Sequence, residues 1–435
     1  MQIQLSRLVA RGLGSVALSL AVCLSAGGQT IAITGGKVFP VSGPPIDGGT
    51  VILTNGRVAA VGANVSIPAD AQRIDATGKW VTPGFINSST QLGVIEVSQV
   101  NTTRDMPARG KDNIAAAFTV WDGLNPNSVM LAPARKEGIT TIVVMPSGGL
   151  VSGQAALLSL VPGTTTDMII KAPVAMVAEI GDASSAGVNS RGELLVKLRE
   201  LLEDTRFFQA RRAAYERAET RDFAASRLDL QAMIPVIQGT LPLIIAVDRA
   251  SDIDAALRLA REYNLRIIIG GGAEAWMVAD RLAAARVPVL TGAMNNIPGG
   301  FAALGQRQEN AGLLRRAGVN VSLIGNGPGD PEAFNVRNLK QEAGNAVAYG
   351  MTWDDALRAV TLAPAEAFGV SDRLGSLQTG RDANVVIWSG DPFELSSRAE
   401  RVFIRGREYP EMTRQDMLTE RYKALPNTYN MPVAR

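Results

Sequence analysis

The chain has 435 residues, no histidine and a single cysteine, Cys23. Imidazole is the usual general base near neutral pH and the commonest metal ligand. Any chemistry must therefore come from carboxylates, amides, hydroxyls and lysine. Three acids are candidates for it. Asp248, with Arg249 beside it, follows the apolar run Leu243–Val247, where a strand would end. It suits a general base or a magnesium ligand. The plain alternative is an ion pair or the cap of the next helix, with Ser251 and Asp252 as rivals. Glu274 follows Gly270-Gly271-Gly272. Those glycines would let backbone amides approach a ligand. Alternatively they make a tight turn into a helix at Ala275, with Glu274 well placed at its N-terminus. Glu96 precedes a long loop carrying Asp105, Lys111 and Asp112, and these are either site residues or solvated loop charges. Ser147 and Ser152 are not set in a Gly-x-Ser-x-Gly elbow, and no histidine exists to activate them. Asn295, Asn296 and Asn326, with Asp330, suit binding better than proton transfer. Lys171, Arg249 and Asn295 are further candidates for contact with a ligand.

The elements that must position these residues follow from hydrophobic pattern. Residues 31–82 read as short strands, with Asn55-Gly56 as a hairpin signal between Thr50–Leu53 and Arg57–Gly62. From Val81 onward, apolar runs of strand length alternate with helical stretches. The runs include Gly138–Met145, Pro173–Ile180, Leu241–Val247, Leu265–Ile269, Val287–Leu290 and Val319–Ile324. Continuous apolar strands of this kind are covered on both faces, as in a parallel sheet. With the strand opening at Val81 they make seven, and Asp167–Lys171 is the candidate for an eighth. Helices are expected over 191–218, 251–263, 275–285, 306–317 and 337–369. Short strands return at Ala383–Trp388 and Arg401–Gly406, so β segments bracket the α/β part. Residues 413–424 form a possible last helix.

The first 28 residues read as a secretory signal: Arg7 and Arg11, the apolar run Val16–Leu24, then small residues at Ser25–Gly28. Cys23 lies inside that signal. It would be a lipoprotein anchor in an alternative reading, although Val22 suits that poorly. The mature chain would otherwise lack cysteine, which excludes disulfides and thiolate-bound zinc. Lys plus Arg total 43 and Asp plus Glu total 41, a net charge of +2. This balance gives no electrostatic footprint for nucleic acid. No later segment is apolar for long enough to span a membrane. The expectation is a secreted or periplasmic protein.

Several segments together carry a family resemblance. Asp75-Ala76-Thr77-Gly78-Lys79 and Val81-Thr82-Pro83-Gly84-Phe85-Ile86-Asn87 resemble the opening of the amidohydrolase barrel. Gly375 to Asn384, running into Val385–Trp388 and Gly390-Asp391-Pro392, resembles its closing β signature. Ala356–Thr361 with Ala363-Pro364-Ala365 is similar to the helix before it. The closest flavour is the imidazolonepropionase-like branch, whose members hydrolyse carbon–nitrogen bonds. The resemblance implies a TIM-like (β/α)8 barrel over 83–370, with a small β-sandwich built from 29–82 and 371–410 and a tail over 411–435. It implies a site at the C-terminal ends of the barrel strands, holding one or two divalent metals. The family's ligands are a His-x-His pair on strand one, a carboxylated lysine or a glutamate near strand four, histidines on strands five and six, and an aspartate on strand eight.

Carried onto this sequence, those positions are degenerate. The paired histidines fall on Ser89 and Gln91, and the strand-five histidine on Ala246. Strand six gives Gly270–Gly272, and the strand-eight aspartate falls on Asn326 or Gly327. Lys171 would be the bridging lysine, or else an exposed charge at a strand end. Zinc is not expected, whereas magnesium and calcium accept oxygen ligands and stay open. The expected protein is non-catalytic. It either binds a small molecule in the old pocket or partners an active amidohydrolase paralogue, in a homo- or hetero-oligomer. The alternative is a hydrolase of carbon–nitrogen bonds that relies on Asp248, Glu96 or Glu274.

Overall fold

The computed structural model describes residues 30–181, 187–294, 298, 300–325, 333–409 and 412–423. The proposed signal segment lies outside them. In chain order the first strands are β1 (Ile31–Val38), β2 (Ile46–Thr54), β3 (Arg57–Gly62), β4 (Gln72–Asp75) and β5 (Trp80–Pro83). Eight more follow: β6 (Phe85–Thr90), β7 (Ile139–Val144), β8 (Val151–Ser159), β9 (Ile169–Glu179), β10 (Leu243–Val247), β11 (Ile267–Gly271), β12 (Val289–Thr291) and β13 (Val321–Leu323). The last are β14 (Val385–Trp388), β15 (Ala399–Ile404) and β16 (Arg407–Glu408).

Two sheets result. One joins both ends of the chain in the order β16-β15-β14-β5-β1-β2-β3, with β4 also on β1. The antiparallel β14–β5 pair is what ties the C-terminal segment to the N-terminal one. Its core includes Ile33, Val51, Val81, Val385 and Phe403. The other sheet runs β6 through β13 in chain order and nearly closes into a barrel. Lumen-facing residues such as Ile86, Val177, Ile244, Ile268, Leu290 and Ile324 form an inner cluster. Phe368 and Leu374 pack with it. The residues between them on each strand face the surrounding helices. Among the described residues no helix is long and apolar enough to cross a membrane.

The barrel departs from an all-parallel design at one strand. β8 runs antiparallel to both β7 and β9. Asp167–Lys171 is not a strand of its own. Asp167 belongs to a short helix, Thr165–Met168, closed by a reciprocal Thr164–Asp167 capping box. Ile169 to Lys171 then begin β9. The reason is chain length. Parallel neighbours need a crossover of a dozen or more residues, and only residues 145–150 separate β7 from β8. The pattern of β8 hid it, because Ser152, Gly153, Gln154 and two alanines dilute the β-branched signal.

Helices occupy most of the expected stretches, with breaks. The 191–218 stretch divides at Arg211 into Arg191–Ala210 and Arg212–Glu216. The 337–369 stretch divides into Leu339–Ala348, Trp353–Ala359 and Leu362–Ala367. A helix over Arg227–Ile237 was not anticipated.

Candidate functional site

Strands β9 to β13 are parallel, so their C-terminal ends share one face of the barrel. Their register defines a row around the lumen: Glu179 opposite Ala246, Ala246 opposite Gly270, Gly270 opposite Leu290, and Leu290 opposite Ser322. Side chains alternate along a strand. Each member of the row lies two residues from a lumen-facing neighbour (Val177, Ile244, Ile268 and Ile324) or is itself one, as Leu290 is. The row thus sets a carboxylate and a hydroxyl on the lumen wall, with two positions of minimal bulk between them. Ala246 is only half-buried. Ser322 is fully buried, and its Oγ meets no hydrogen-bond partner among the described residues.

The strand-one positions sit beside this row at the closing seam. Ser89 is buried, and its Oγ donates to the Met145 sulfur at 3.5 Å. Gln91 is 4% exposed, and its Oε1 has no partner among the described residues. Asn87 accepts the Ser89 amide through Oδ1 at 3.2 Å, while its Nδ2 has no partner among them. Ser88 is fully buried, and its hydroxyl likewise meets none of them. Buried polar groups of this density are uncommon without a partner.

The acids singled out from sequence have other neighbours. Asp248 leans from the end of β10 onto the next strand, where Oδ1 accepts the Ala273 amide at 3.1 Å. Burial pushes its carboxyl above the usual range; the Ala273 hydrogen bond opposes this and the nearby Glu274 charge adds to it. Gly271 makes the lean possible. Its φ is +91°, and a Cβ there would lie 2.6 Å from Asp248 Oδ1. Glu274 is 9% exposed and uses both oxygens on backbone amides: Ala250 at 2.9 Å and Gly305 at 2.9 Å. It therefore holds the start of the helix Ala250–Tyr263, rather than the turn that follows it. Arg249 is the N-cap residue of that helix and its side chain is exposed. Asp252 pairs with Arg191 at 2.8 Å. Glu96 accepts from Asn125 Nδ2 at 2.8 Å and Ser128 Oγ at 3.0 Å, pinning the loop after β6.

Lys171 is on the wrong face for a bridging ligand. It lies at the start of β9, eight residues before Glu179, roughly 26 Å away along the strand. Its Nζ donates to Phe368 O at 3.2 Å. Burial pulls its pKa down, Arg266 adds to this, and Asp372 opposes it. Asn295, Asn296, Asn326, Gly327 and Asp330 lie outside the described residues. Among those described, no group of three or more aspartate, glutamate or cysteine side chains is disposed to hold an ion.

Glu179 was missed from sequence, although a signal existed. In Ala175-Met176-Val177-Ala178-Glu179 the period of two carries the lumen face to the glutamate. Glu342 had no such signal. It is 5% exposed in the helix Leu339–Ala348, and its Oε2 accepts the amides of Ala293 at 2.5 Å and Met294 at 2.9 Å. Burial pushes its pKa up to about 7, against those two hydrogen bonds.

The roles of Glu274 and Glu342 are testable apart from function. Glu274→Ala strands two backbone amides and is expected to cost about 3 kcal/mol in urea unfolding. A loss below about 1 kcal/mol would show that the carboxylate does not organise the loop.

Residues 304–409 match the profile of the amidohydrolase family. Amidohydrolase tasK of Hapsidospora irregularis is 22% identical over 391 residues, covering 82% of this chain; the chain spans only 39% of that protein. An imidazolonepropionase of Mesorhizobium japonicum is 24% identical over 386 residues, covering 81% of this chain and 89% of the relative. The crystal structure of an amidohydrolase from Thermotoga maritima superimposes with a TM-score of 0.79 at 26% identity, covering 87% of this chain and 99% of that one. A molinate hydrolase, 18% identical with a TM-score of 0.55, covers 93% of this chain and supports the fold alone. The nearly closed eight-stranded barrel, the sheet shared by both ends of the chain and similarity over four-fifths of its length make this chain a member of the amidohydrolase superfamily, with imidazolonepropionases among its homologues.

Proposed function

We propose that this chain is an exported amidohydrolase homologue whose barrel mouth binds a small molecule and does not carry out metal-dependent hydrolysis. The observation that carries the reading is the lumen row Glu179–Ala246–Gly270–Leu290–Ser322. It leaves room where side chains of metal ligands would stand, and offers an acid and a hydroxyl at its ends. Zinc does not fit this chain. The strand-one and strand-five positions hold a hydroxyl, an amide and a methyl group, and the sequence contains no histidine. Asp248, Glu274 and Glu96 are engaged with backbone amides or loop side chains, which suits support of the mouth better than proton transfer. Export is inferred from residues 1–28.

The test uses untagged protein expressed with its own leader and purified without chelator. Elemental analysis is expected to find well below one zinc per chain. A panel of small cyclic amides and ureas is then screened by thermal unfolding and by release of ammonia or amine. The expected result is a saturable rise in melting temperature for some compound, without turnover. Ala246→Leu fills the row and is expected to abolish that rise while leaving unliganded stability within about 1.5 kcal/mol. Stoichiometric zinc, or turnover lost in Glu179→Gln, would overturn the proposal and restore the hydrolase.

A further inference from the structure

A groove of about 450 Å³ lies on the outer face of the barrel, between the helices Ala250–Tyr263 and Ala279–Ala284. Arg258, Arg261 and Arg281 line it over a floor of Leu257 and Ala284. Arg281 is paired with Asp254 at 3.1 Å. Arg258 and Arg261 are exposed and have no carboxylate partner among the described residues. The groove meets a second cleft, of about 310 Å³, at Ala285. That cleft adds Arg266 and Arg286, and its one acid, Glu366, is held by Arg358 at 2.5 Å. The result is a band of five guanidinium groups on a chain whose net charge is only +2. Asp280, next to Arg281 in sequence, lines neither cleft.

We infer that this groove docks an extended acidic peptide segment of another protein. Guanidinium forks match carboxylates in a planar, two-point fashion. Arg258 and Arg261 stand one helical turn apart, about 5–6 Å at their Cβ atoms. Carboxylates on alternate residues of an extended strand are spaced about 6.6 Å. The aliphatic floor accepts the methylene stems of those same acids, while the residues between them point away from the groove. No aromatic ring lines either cleft, so bases would find no stacking platform. The exposed apolar side chains there are the small Ala284 and Ala285, with Leu257 buried, which does not suit insertion into lipid.

The experiment is fluorescence anisotropy of the full chain with a labelled peptide, Ala-Glu-Leu-Glu-Leu-Glu-Ala. Saturable binding is expected at low salt, weakening about tenfold or more between 50 and 300 mM salt. Arg258→Glu with Arg261→Glu is expected to weaken binding at least thirtyfold. Arg73→Glu with Arg109→Glu changes net charge equally on exposed arginines elsewhere and should change affinity less than threefold. Circular dichroism and melting temperature check that each double variant folds; should the glutamates disturb the helix, Arg258→Gln with Arg261→Gln replaces them, with at least a fivefold loss expected. No binding of the peptide, equal loss in both double variants, or tighter binding of an oligo-dT strand of similar charge would each overturn the inference.

Discussion

Glu342→Gln is expected to remove most of the pH dependence of stability between pH 5 and pH 8. The buried carboxyl has its pKa raised to about 7 by burial. An unfolded glutamate titrates near 4.3. Between those values the native chain holds a proton that the unfolded chain has released, so stability falls as pH rises. The contribution is complete below the unfolded pKa and is lost as pH passes through the folded one. Its size is on the order of 3 kcal/mol. Asp248 is shifted in the same direction and adds to the slope. Asp416 is shifted the opposite way, to about 2, and so acts below this window. A glutamine keeps an oxygen for the Ala293 and Met294 amides but carries no charge to bury. The variant should match the parent near pH 5 and exceed it at pH 8. Urea titrations at the two pH values decide it. Parallel losses in parent and variant would mean that Glu342 is not the titrating group.

Trp388→Ala should be the most damaging single change at the junction of the two sheets. The indole is fully buried and stacks on Phe85 of β6 with ring centroids 5.0 Å apart. Its Nε1 donates to Thr82 Oγ1 at 2.8 Å. Gly138 permits the fit, since a Cβ there would lie 2.4 Å from the ring. Truncation leaves a cavity and takes the indole donor from Thr82 Oγ1, which keeps its own bond to Pro83 O at 2.9 Å; the cost is about 4 kcal/mol. Gly138→Ala forces the same clash from the other side, and at φ +81° it is strained as well. The measurement is equilibrium unfolding, followed by both tryptophan fluorescence and far-UV circular dichroism. A loss under about 2 kcal/mol would mean that the two sheets are not coupled through this residue.

The parts of the molecule that could be read from sequence are those set by local pattern. Asn55-Gly56 joins β2 to β3 because both residues accept positive φ, and no distant contact is needed. The apolar runs of β9 to β13 declare strands buried on both faces, because helices cover one face and the lumen core the other. The absence of histidine is likewise a property of the sequence. No fold can supply a ligand that the chain does not contain. What the tertiary structure decided was direction and partnership. β8 reverses because its connections are too short for a crossover, which a dilute pattern of Gly, Ser, Gln and Ala did not announce. Lys171 and Glu179 share one strand, yet only the register shows which of them reaches the mouth. The Glu274 carboxylate meets amides 24 and 31 residues away, and Glu342 meets amides 48 and 49 residues away. Such bonds leave no periodicity in a sequence, because the barrel brings their ends together only after the strands have paired.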